Sequence, residues 1–534
     1  MLGEAKRMAK FPDVHDGPRT DDGNESTCRR TGRGGWRAPA TAVHRRPLHR
    51  FDEARAVGRI YHHPRTRDIR IDRRQRPAGP MQGLHRPCGY SHWPARISPH
   101  SIGFKGTPFP APKQQRASLP ILQRRHPIMP ISPPIQALAA DMRDWRRLIH
   151  SKPEIAFQER GTADFIAARL REFGIDVHTG VGQTGVVGIV DGTLGAGRTV
   201  ALRADMDALP MRELGRPVYR SVFEGIFHGC GHDGHVAILL GTARHLAEHR
   251  HFRGRVVLIF QPAEEIVCGS RAMLDDGLLE RFPFDEIYSL HNDPMLPPSR
   301  IGVRAGAQQA SSDRFQIRIH GIGTHAGMPH LGIDPVAIGA HLVAMLQTIA
   351  SRSVDPLESV VISIARFHAG DAFNVIPHEA VLGGTVRALS NDTRTFALER
   401  MRAICDGVAL ANRTRIEFEL QDGTPAIVNH ADAVQCVMDA AREVVGAENV
   451  IGNVTPLMAG DDIANFLDAR PGCHFLLGQG GHMCHHPEYD FNDDVAPIGV
   501  AMFASILRAR LGAGAEPIPA GLDERSALAA AAAR

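Results

Sequence analysis

Apolar residues follow two patterns in the stretch that begins near residue 131. Helical periodicity marks residues 163–173 and 236–249. Short, continuous apolar runs, which are typical of buried strands, occupy residues 186–190, 199–203, 255–260 and 286–290. Strands that alternate with helices in this way predict an α/β domain with a largely parallel sheet.

The pattern changes at residue 313, where polar and apolar residues begin to alternate. The predicted order is strand, helix, strand, strand, helix, strand, which is the split βαβ or ferredoxin-like arrangement. Its elements are predicted at residues 314–320, 335–351, 360–367, 380–388, 395–409 and 415–420. We therefore predict that residues 313–424 form an α+β domain, inserted between two parts of the α/β domain, residues 131–312 and 425–511.

Charge separates the first 130 residues from the rest of the chain. Residues 1–130 hold 26 Lys and Arg against 10 Asp and Glu, while the remaining residues hold 36 against 48. This basic leader has no sustained periodicity, so we expect it to be disordered, as we do for the Ala-rich tail, residues 512–534. Arginine clusters can bind nucleic-acid phosphates, but a solvated leader is the simpler interpretation and nucleic acid is not an expected partner.

The cysteines and the apolar runs indicate the compartment. Eight cysteines at irregular spacing do not predict a disulfide framework, and no apolar run approaches the roughly 18–20 residues of a transmembrane helix. The first residues also lack the apolar core of a secretory signal. We therefore expect a soluble, cytoplasmic protein that does not bind membranes.

Candidate chemistry is concentrated in residues 228–235, where Cys230 and His232 lie two positions apart. A thiolate and an imidazole at this spacing provide half of a metal site of the kind that zinc or manganese-like ions accept. Further candidate ligands lie downstream: Glu264, Glu265, His291 and His485. The set predicts a metallohydrolase.

Most of these candidates are predicted to come directly after strands. Asp205 and Asp207 follow one apolar run, Glu264 and Glu265 follow the next, and His291 follows a third. Open α/β sheets bind their ligands at the carboxyl ends of their strands. We therefore expect these acids and histidines to converge.

Six segments, in order along the chain, resemble the motifs of one enzyme family. They are 203–210 (RADMDALP), 230–235 (CGHDGH), 261–265 (QPAEE), 324–330 (THAGMPH), 374–377 (NVIP) and 485–491 (HHPEYDF). Together they resemble the dinuclear-metal amidohydrolases, zinc-exopeptidase-like enzymes that include hippurate hydrolase, aminoacylases and indoleacetyl-amino-acid hydrolases. The resemblance extends over about residues 134–511.

The resemblance implies that each subunit binds two divalent metal ions, which we expect to be zinc, manganese, cobalt or nickel. The metal ligands that it implies are Cys230, His232, Glu265, His291 and His485. A thiolate favours these ions over magnesium or calcium. Cys484 and His486 flank His485, and the sequence leaves open whether one of them binds instead.

The resemblance also implies catalytic roles for two acids. Glu264 is expected to be the general base, which takes a proton from metal-activated water and passes it to the leaving amine. Neighbouring side chains in an extended segment point in opposite directions, so Glu265 can bind metal while Glu264 acts on water. Asp207 is expected to orient a metal-binding histidine.

Three further residues are implied in the inserted domain. His325 is expected to reach the active site of a partner subunit and to stabilise the oxyanion, which requires a homodimer or a higher homo-oligomer formed through this lid and dimerisation domain. Asn374 and Arg387 resemble substrate-binding residues, and Arg387 can pair with a carboxylate of the substrate. A surface salt bridge is the alternative for Arg387.

One motif departs from the family pattern. Residues 458–463 stand where many relatives have Gly-x-Glu-Asp-Phe, and Asp461 and Ile463 differ from it. We expect these two residues to change a wall of the pocket for the acyl group.

These features predict a metal-dependent amidohydrolase that cleaves hippurate-like N-acyl amino acids, or similar small amides, to a carboxylic acid and an amine. A dipeptidase or carboxypeptidase-like metallopeptidase is the alternative. A thiol hydrolase with Cys230 as nucleophile and His232 as base is a second hypothesis, which the clustered acids and histidines disfavour. A metal-binding scaffold tethered to nucleic acid by the leader is a third.

Met129 directly precedes residues 131–150, which are predicted to form the first amphipathic helix of the folded region. Met129 is therefore a natural alternative start of the protein. We expect N-terminal sequencing of the protein from its native host to find this shorter form. A start at Met1 would remove the hypothesis.

Overall fold

The computed structural model describes residues 131–512, so the predictions for the leader and for the tail beyond residue 512 lie outside it. The helices are α1 (Pro133–Ala137), α2 (Ala139–Ser151), α3 (Arg160–Glu172), α4 (His232–Glu248), α5 (Gly269–Asp275), α6 (Leu278–Arg281), α7 (Pro335–Thr348), α8 (Asn391–Ala411), α9 (Ala431–Val445), α10 (Ile463–Ala469) and α11 (Ala496–Leu511). Among these described helices, none is long and apolar enough to cross a bilayer.

The strands of the same region fall into one large sheet and three smaller ones. They are β1 (Asp176–Val181), β2 (Gly185–Asp191), β3 (Thr199–Asp205), β4 (Arg255–Gln261), β5 (Glu286–Asp293), β6 (Ile301–Gly302), β7 (Gly306–Gln309), β8 (Ser312–His320), β9 (Thr324–His325), β10 (Val360–His368), β11 (Val375–Ile376), β12 (Glu379–Ala388), β13 (Ile416–Thr424), β14 (Ile427–Asn429), β15 (Val450–Ile451) and β16 (Gly472–Gly478). All eight predicted strands are present within a few residues of their predicted bounds.

The large sheet has eight strands in the order β1-β2-β4-β3-β5-β16-β6-β15. Its central strands β4, β3, β5 and β16 are parallel to one another, whereas β1, β2 and β6 introduce antiparallel pairs. Alternate strand residues face different cores, because Leu202 and Leu258 pack with α2, α4 and α11 while Ala201 and Val257 pack with α5 and α10. Burial on both faces explains the continuous apolar runs and confirms the predicted α/β domain with a mostly parallel sheet.

Residues 312–424 form a separate antiparallel sheet in the order β10-β12-β8-β13. Helices α7 and α8 pack against it, and Ile317 and Ile319 alternate inward from β8 to meet Leu342 and Met401 in a core of their own. The helical periodicity beyond α7 continues as one π-helical turn, Ile349–Ser353. The function of this segment as a lid and dimerisation domain remains a prediction.

Two local predictions differ from the structure. The single helix predicted for residues 131–150 is two helices, because the N–H of Leu138 bonds to the carbonyl of Ile135 at 3.1 Å and so closes the first helix with a tighter turn. His291 lies within β5 rather than after it, since this strand extends to Asp293.

A buried cation joins helix α2 to distant parts of the chain. The guanidinium of Arg146, which is 1% exposed, donates to both carboxylate oxygens of Asp493 at 2.8 and 3.1 Å and to Asp490 at 3.0 Å. Asp233, in the first turn of α4, lies 3.5 Å away. The loop after β16 is thereby fixed against the amino-terminal end of α4.

We expect Arg146→Met to lower the free energy of unfolding by about 3–5 kcal/mol, because it leaves the buried carboxylate of Asp233 and the partly buried carboxylate of Asp493 without this cation. Urea denaturation measures the change. The control is Arg143→Met on the same helix. Arg143 is exposed, and its ion pair with Asp144 is long, at 3.6 Å, and is also exposed to solvent. Equal losses in the two variants would contradict the structural role of Arg146.

Candidate metal centre

The predicted ligands meet at the edge of the large sheet where β3, β4 and β5 end. Cys230 closes the loop before α4, and His232 is the first residue of that helix. Gly231 between them has φ 97°, and a Cβ atom here would lie 2.3 Å from Oδ1 of Asn292. Only glycine allows this close turn, which places the thiol and the imidazole side by side.

All five predicted metal ligands converge in the structure. Ligand atoms lie within 4.8 Å of one another in two overlapping groups, namely Cys230, Glu265 and His485, and His232, Glu264 and Glu265. Sγ of Cys230 is 3.4 Å from Nε2 of His291, and Nε2 of His485 is 3.4 Å from Oε2 of Glu265.

The donor atoms fit a metal ion. Nε2 of His232 and Oε1 of Glu265 are buried, have no hydrogen-bond partner among the described residues, and lie 3.9 Å apart. Nδ1 of His232 donates to the carbonyl of Asp207 at 2.9 Å, and Nδ1 of His291 donates to the carbonyl of Asn292 at 2.8 Å. These bonds leave each Nε2 with a free lone pair, and unpartnered buried acceptors are costly unless a cation joins them.

Three neighbouring residues are less suited to bind an ion. His235 uses both ring nitrogens, on Asp205 at 2.5 Å and on Asn292 at 2.7 Å. Nδ1 of His486 accepts the N–H of Glu488 at 3.1 Å, which leaves the proton on its other nitrogen. The thiol of Cys484 donates to the carbonyl of Cys230 at 3.6 Å. The geometry therefore favours His485 over the alternatives that the sequence left open.

Glu264 and Glu265 have contrasting environments. Burial, together with the charges of Asp461 and Glu265, raises the pKa of Glu264 well above its usual range. Burial also acts on Glu265, but a hydrogen bond from His485 and the charge of His232 outweigh it and lower the pKa of Glu265. One carboxyl is thus suited to hold a proton and the other to remain an anion.

Two buried carboxylates hold the turn that carries these acids. Asp207 accepts the N–H groups of Glu264 and Glu265 at 3.1 and 3.0 Å. Glu159 accepts the N–H of the preceding residue, Ala263, at 2.9 Å, and Ala263 has an unusual positive φ of 52°. No motif in the sequence pointed to Glu159, because its partner is 104 residues away.

A second residue that the sequence did not single out lies beneath the site. Arg203 is 1% exposed and donates to Asp205 at 2.8 Å and to the two oxygens of Asp461 at 3.1 and 2.9 Å. Asp461 does line the cavity, as predicted for a pocket wall, but both of its oxygens are bound to this guanidinium. The guanidinium of Arg203 is thus a fixed positive charge on the side of the site that faces away from the cavity.

A cavity of about 410 Å³ opens above these groups. Cys230, Glu264, Glu265, His291 and His485 line one side of it, and residues of the 313–424 segment line another side: Arg314, Thr385 and Arg387. Arg387 has no ion-pair partner among the side chains that the structure describes, so the surface salt bridge considered for it is not formed with any of them.

His325 and Asn374 lie outside this cavity. Both side chains are exposed, and they adjoin each other, because His325 pairs with Val375 across β9 and β11 and the carbonyl of Asn374 accepts the N–H of Ala326 at 2.9 Å. The structure therefore brings these two predicted residues together, but not to the candidate metal ligands of the same chain.

Comparison with known proteins identifies close relatives. Hippurate hydrolase of Campylobacter jejuni is 38% identical over 71% of this chain and 98% of its own length. IAA-amino acid hydrolase ILR1-like 2 of Arabidopsis thaliana is 37% identical over 69% of this chain and 86% of its own length. The crystal structure of the Bacillus subtilis YXEP protein, which carries the description of a dinuclear metal binding peptidase from the M20 family, has a TM-score of 0.62 and 32% identity, and the match covers 70% of this chain and 99% of that one.

The model of peptidase family M20/M25/M40 matches residues 201–509, which include every predicted metal ligand. The similarity to the three relatives also extends over most of their own lengths. The chain is thus a hydrolase that acts on amide bonds, and it belongs to peptidase family M20/M25/M40.

Proposed function

We propose that the protein hydrolyses the amide bond of N-acyl amino acids, with two divalent metal ions as cofactors. The observation that carries the proposal is the facing pair of unpartnered buried atoms, Nε2 of His232 and Oε1 of Glu265, beside Glu264 in a cavity that also holds Arg387. The names of the relatives, hippurate hydrolase and IAA-amino acid hydrolase, support such substrates over a dipeptidase or carboxypeptidase specificity.

The metal ions would be held by the five converging side chains, Cys230, His232, Glu265, His291 and His485. When bound, such ions lower the pKa of a water ligand and polarise the amide carbonyl. A thiolate among the ligands favours zinc, manganese, cobalt or nickel.

Glu264 is the proposed general base. It lines the cavity, takes a proton from the attacking water and delivers it to the leaving nitrogen. Burial raises the pKa of Glu264, which makes its carboxylate a stronger base. Asp207 holds the backbone of Glu264 in place, and Arg387 binds the carboxylate of the substrate through charge-assisted hydrogen bonds.

His325 and Asn374 would take part in the reaction only in a homo-oligomer. Because they adjoin each other and are exposed, assembly through the 313–424 segment would bring both to the cavity of a partner subunit. There His325 would donate a hydrogen bond to the oxyanion, and Asn374 would contact the substrate.

A thiol hydrolase is disfavoured by the surroundings of Cys230. Its hydrogen bond with Cys484, followed by burial, raises the pKa of Cys230 well above its usual range. A thiol of this kind is a poor nucleophile without a metal ion, because the thiolate is the reactive species.

We expect Glu264→Gln to lower kcat for hippurate by about 10²–10⁴-fold, because the variant cannot take up the proton of the attacking water. Bound metal and melting temperature should remain close to those of the original protein. The control is Glu399→Gln, which changes an exposed acid on α8. Full activity of the Glu264 variant would contradict the proposed role.

Removal of metal should abolish hydrolysis of N-acyl amino acids, and zinc, manganese, cobalt or nickel should restore it. Elemental analysis should find about two ions per chain in the active protein and fewer in His232→Ala, because that variant lacks one of the facing donor atoms. Activity that survives thorough chelation would instead favour the thiol hydrolase.

A further inference from the structure

A second arginine shares the wall of the cavity that carries Arg387. Arg314 on β8 pairs with Thr385 on β12, and Arg387 is two residues farther along the same strand. Side chains two residues apart in a strand point to the same face, and diagonal neighbours on adjacent strands lie about 7–8 Å apart. All three side chains line the cavity.

Neither guanidinium has a hydrogen bond or an ion pair with any side chain that the structure describes; the side chain of Asp422, the register partner of Arg314 on β13, is not among these. Two nearby carboxylates are occupied. Asp313 binds Arg394 through both oxygens, at 2.6 and 2.8 Å, and both oxygens of Asp461 bind Arg203. The wall therefore presents two arginine side chains next to each other, and neither of these two carboxylates is available to pair with them.

This arrangement is costly in the free enzyme. Burial, opposed in part by Asp313, and repulsion by Arg314 lower the pKa of Arg387. Two like charges on a half-buried surface repel each other more strongly than they do in water. One carboxylate of a substrate would neutralise only one of them, whereas a substrate with two anionic groups would neutralise both.

We propose that Arg314 forms a second anion subsite beside Arg387, and that the preferred substrates are N-acyl amino acids with a second carboxylate. This inference rests on the proposed function. The second carboxylate can belong to the side chain of the amino acid or to the acyl group, and both sources present the same chemistry to Arg314.

Matched substrate pairs test the subsite and distinguish the two sources. N-acetylglutamate is compared with N-acetylglutamine, and N-succinylalanine with N-butyrylalanine. We expect kcat/KM to be at least about tenfold higher for the doubly charged member of one pair. The reason is that a charge-assisted hydrogen bond between arginine and carboxylate is stronger than a hydrogen bond between neutral groups. We expect this ratio to fall toward one in Arg314→Gln, mainly through KM, and to recover in part in Arg314→Lys, which retains the charge.

The control variant is Arg366→Gln, on the neighbouring strand of the same sheet but outside the cavity, which should keep the original ratio. Melting temperatures show whether each variant is folded. The subsite is overturned if the original enzyme shows no preference in either pair, or if the preference survives in Arg314→Gln.

Binding of free glutarate and butyrate, measured by calorimetry, separates this inference from the proposed function because it requires no turnover. Glutarate should bind at least about tenfold more tightly than butyrate to the original protein, but not to Arg314→Gln. If this difference appears while no N-acyl amino acid is cleaved, the subsite stands and the proposed function fails. If substrates are cleaved but glutarate and butyrate bind alike, the subsite fails.

Discussion

Charge balance at the edge of the large sheet constrains the rest of the site. Asp205, Asp207, Glu264 and Asp461 are each at most 7% exposed, and burying so many carboxylates together costs free energy unless positive charge accompanies them. Arg203 supplies that charge from the protein side. The side that faces the cavity keeps unpartnered acceptors, and the proposed metal ions would balance these.

The same constraint explains how the turn that carries Glu264 and Glu265 is held. Asp207 and Glu159 use their buried oxygens to hold three successive backbone N–H groups, from Ala263 to Glu265. The carboxylates are thereby satisfied, and the turn retains the positive φ of Ala263. Glu264 and Glu265 consequently start from fixed backbone positions, and both reach the cavity beside the candidate ligands.

The two sides of the cavity differ in charge and come from different parts of the chain. The α/β domain contributes the acids and the candidate metal ligands, whereas the antiparallel sheet contributes Arg314 and Arg387. An anionic substrate would therefore be oriented by electrostatics, with its carboxylates toward the arginines and its amide toward the acids and metal ions. The register of β8 against β12 sets the arginines side by side.

The sequence by itself determined the class of fold, because strand and helix periodicity are local properties of the chain. Its motifs also indicated the candidate ligands. Only the tertiary structure decided which distant groups complete the site. The bond between Arg203 and Asp461 joins residues 258 positions apart, and the position of His325 outside its own cavity depends on how whole segments pack. No local pattern specifies such contacts, since they form only when distant segments fold together.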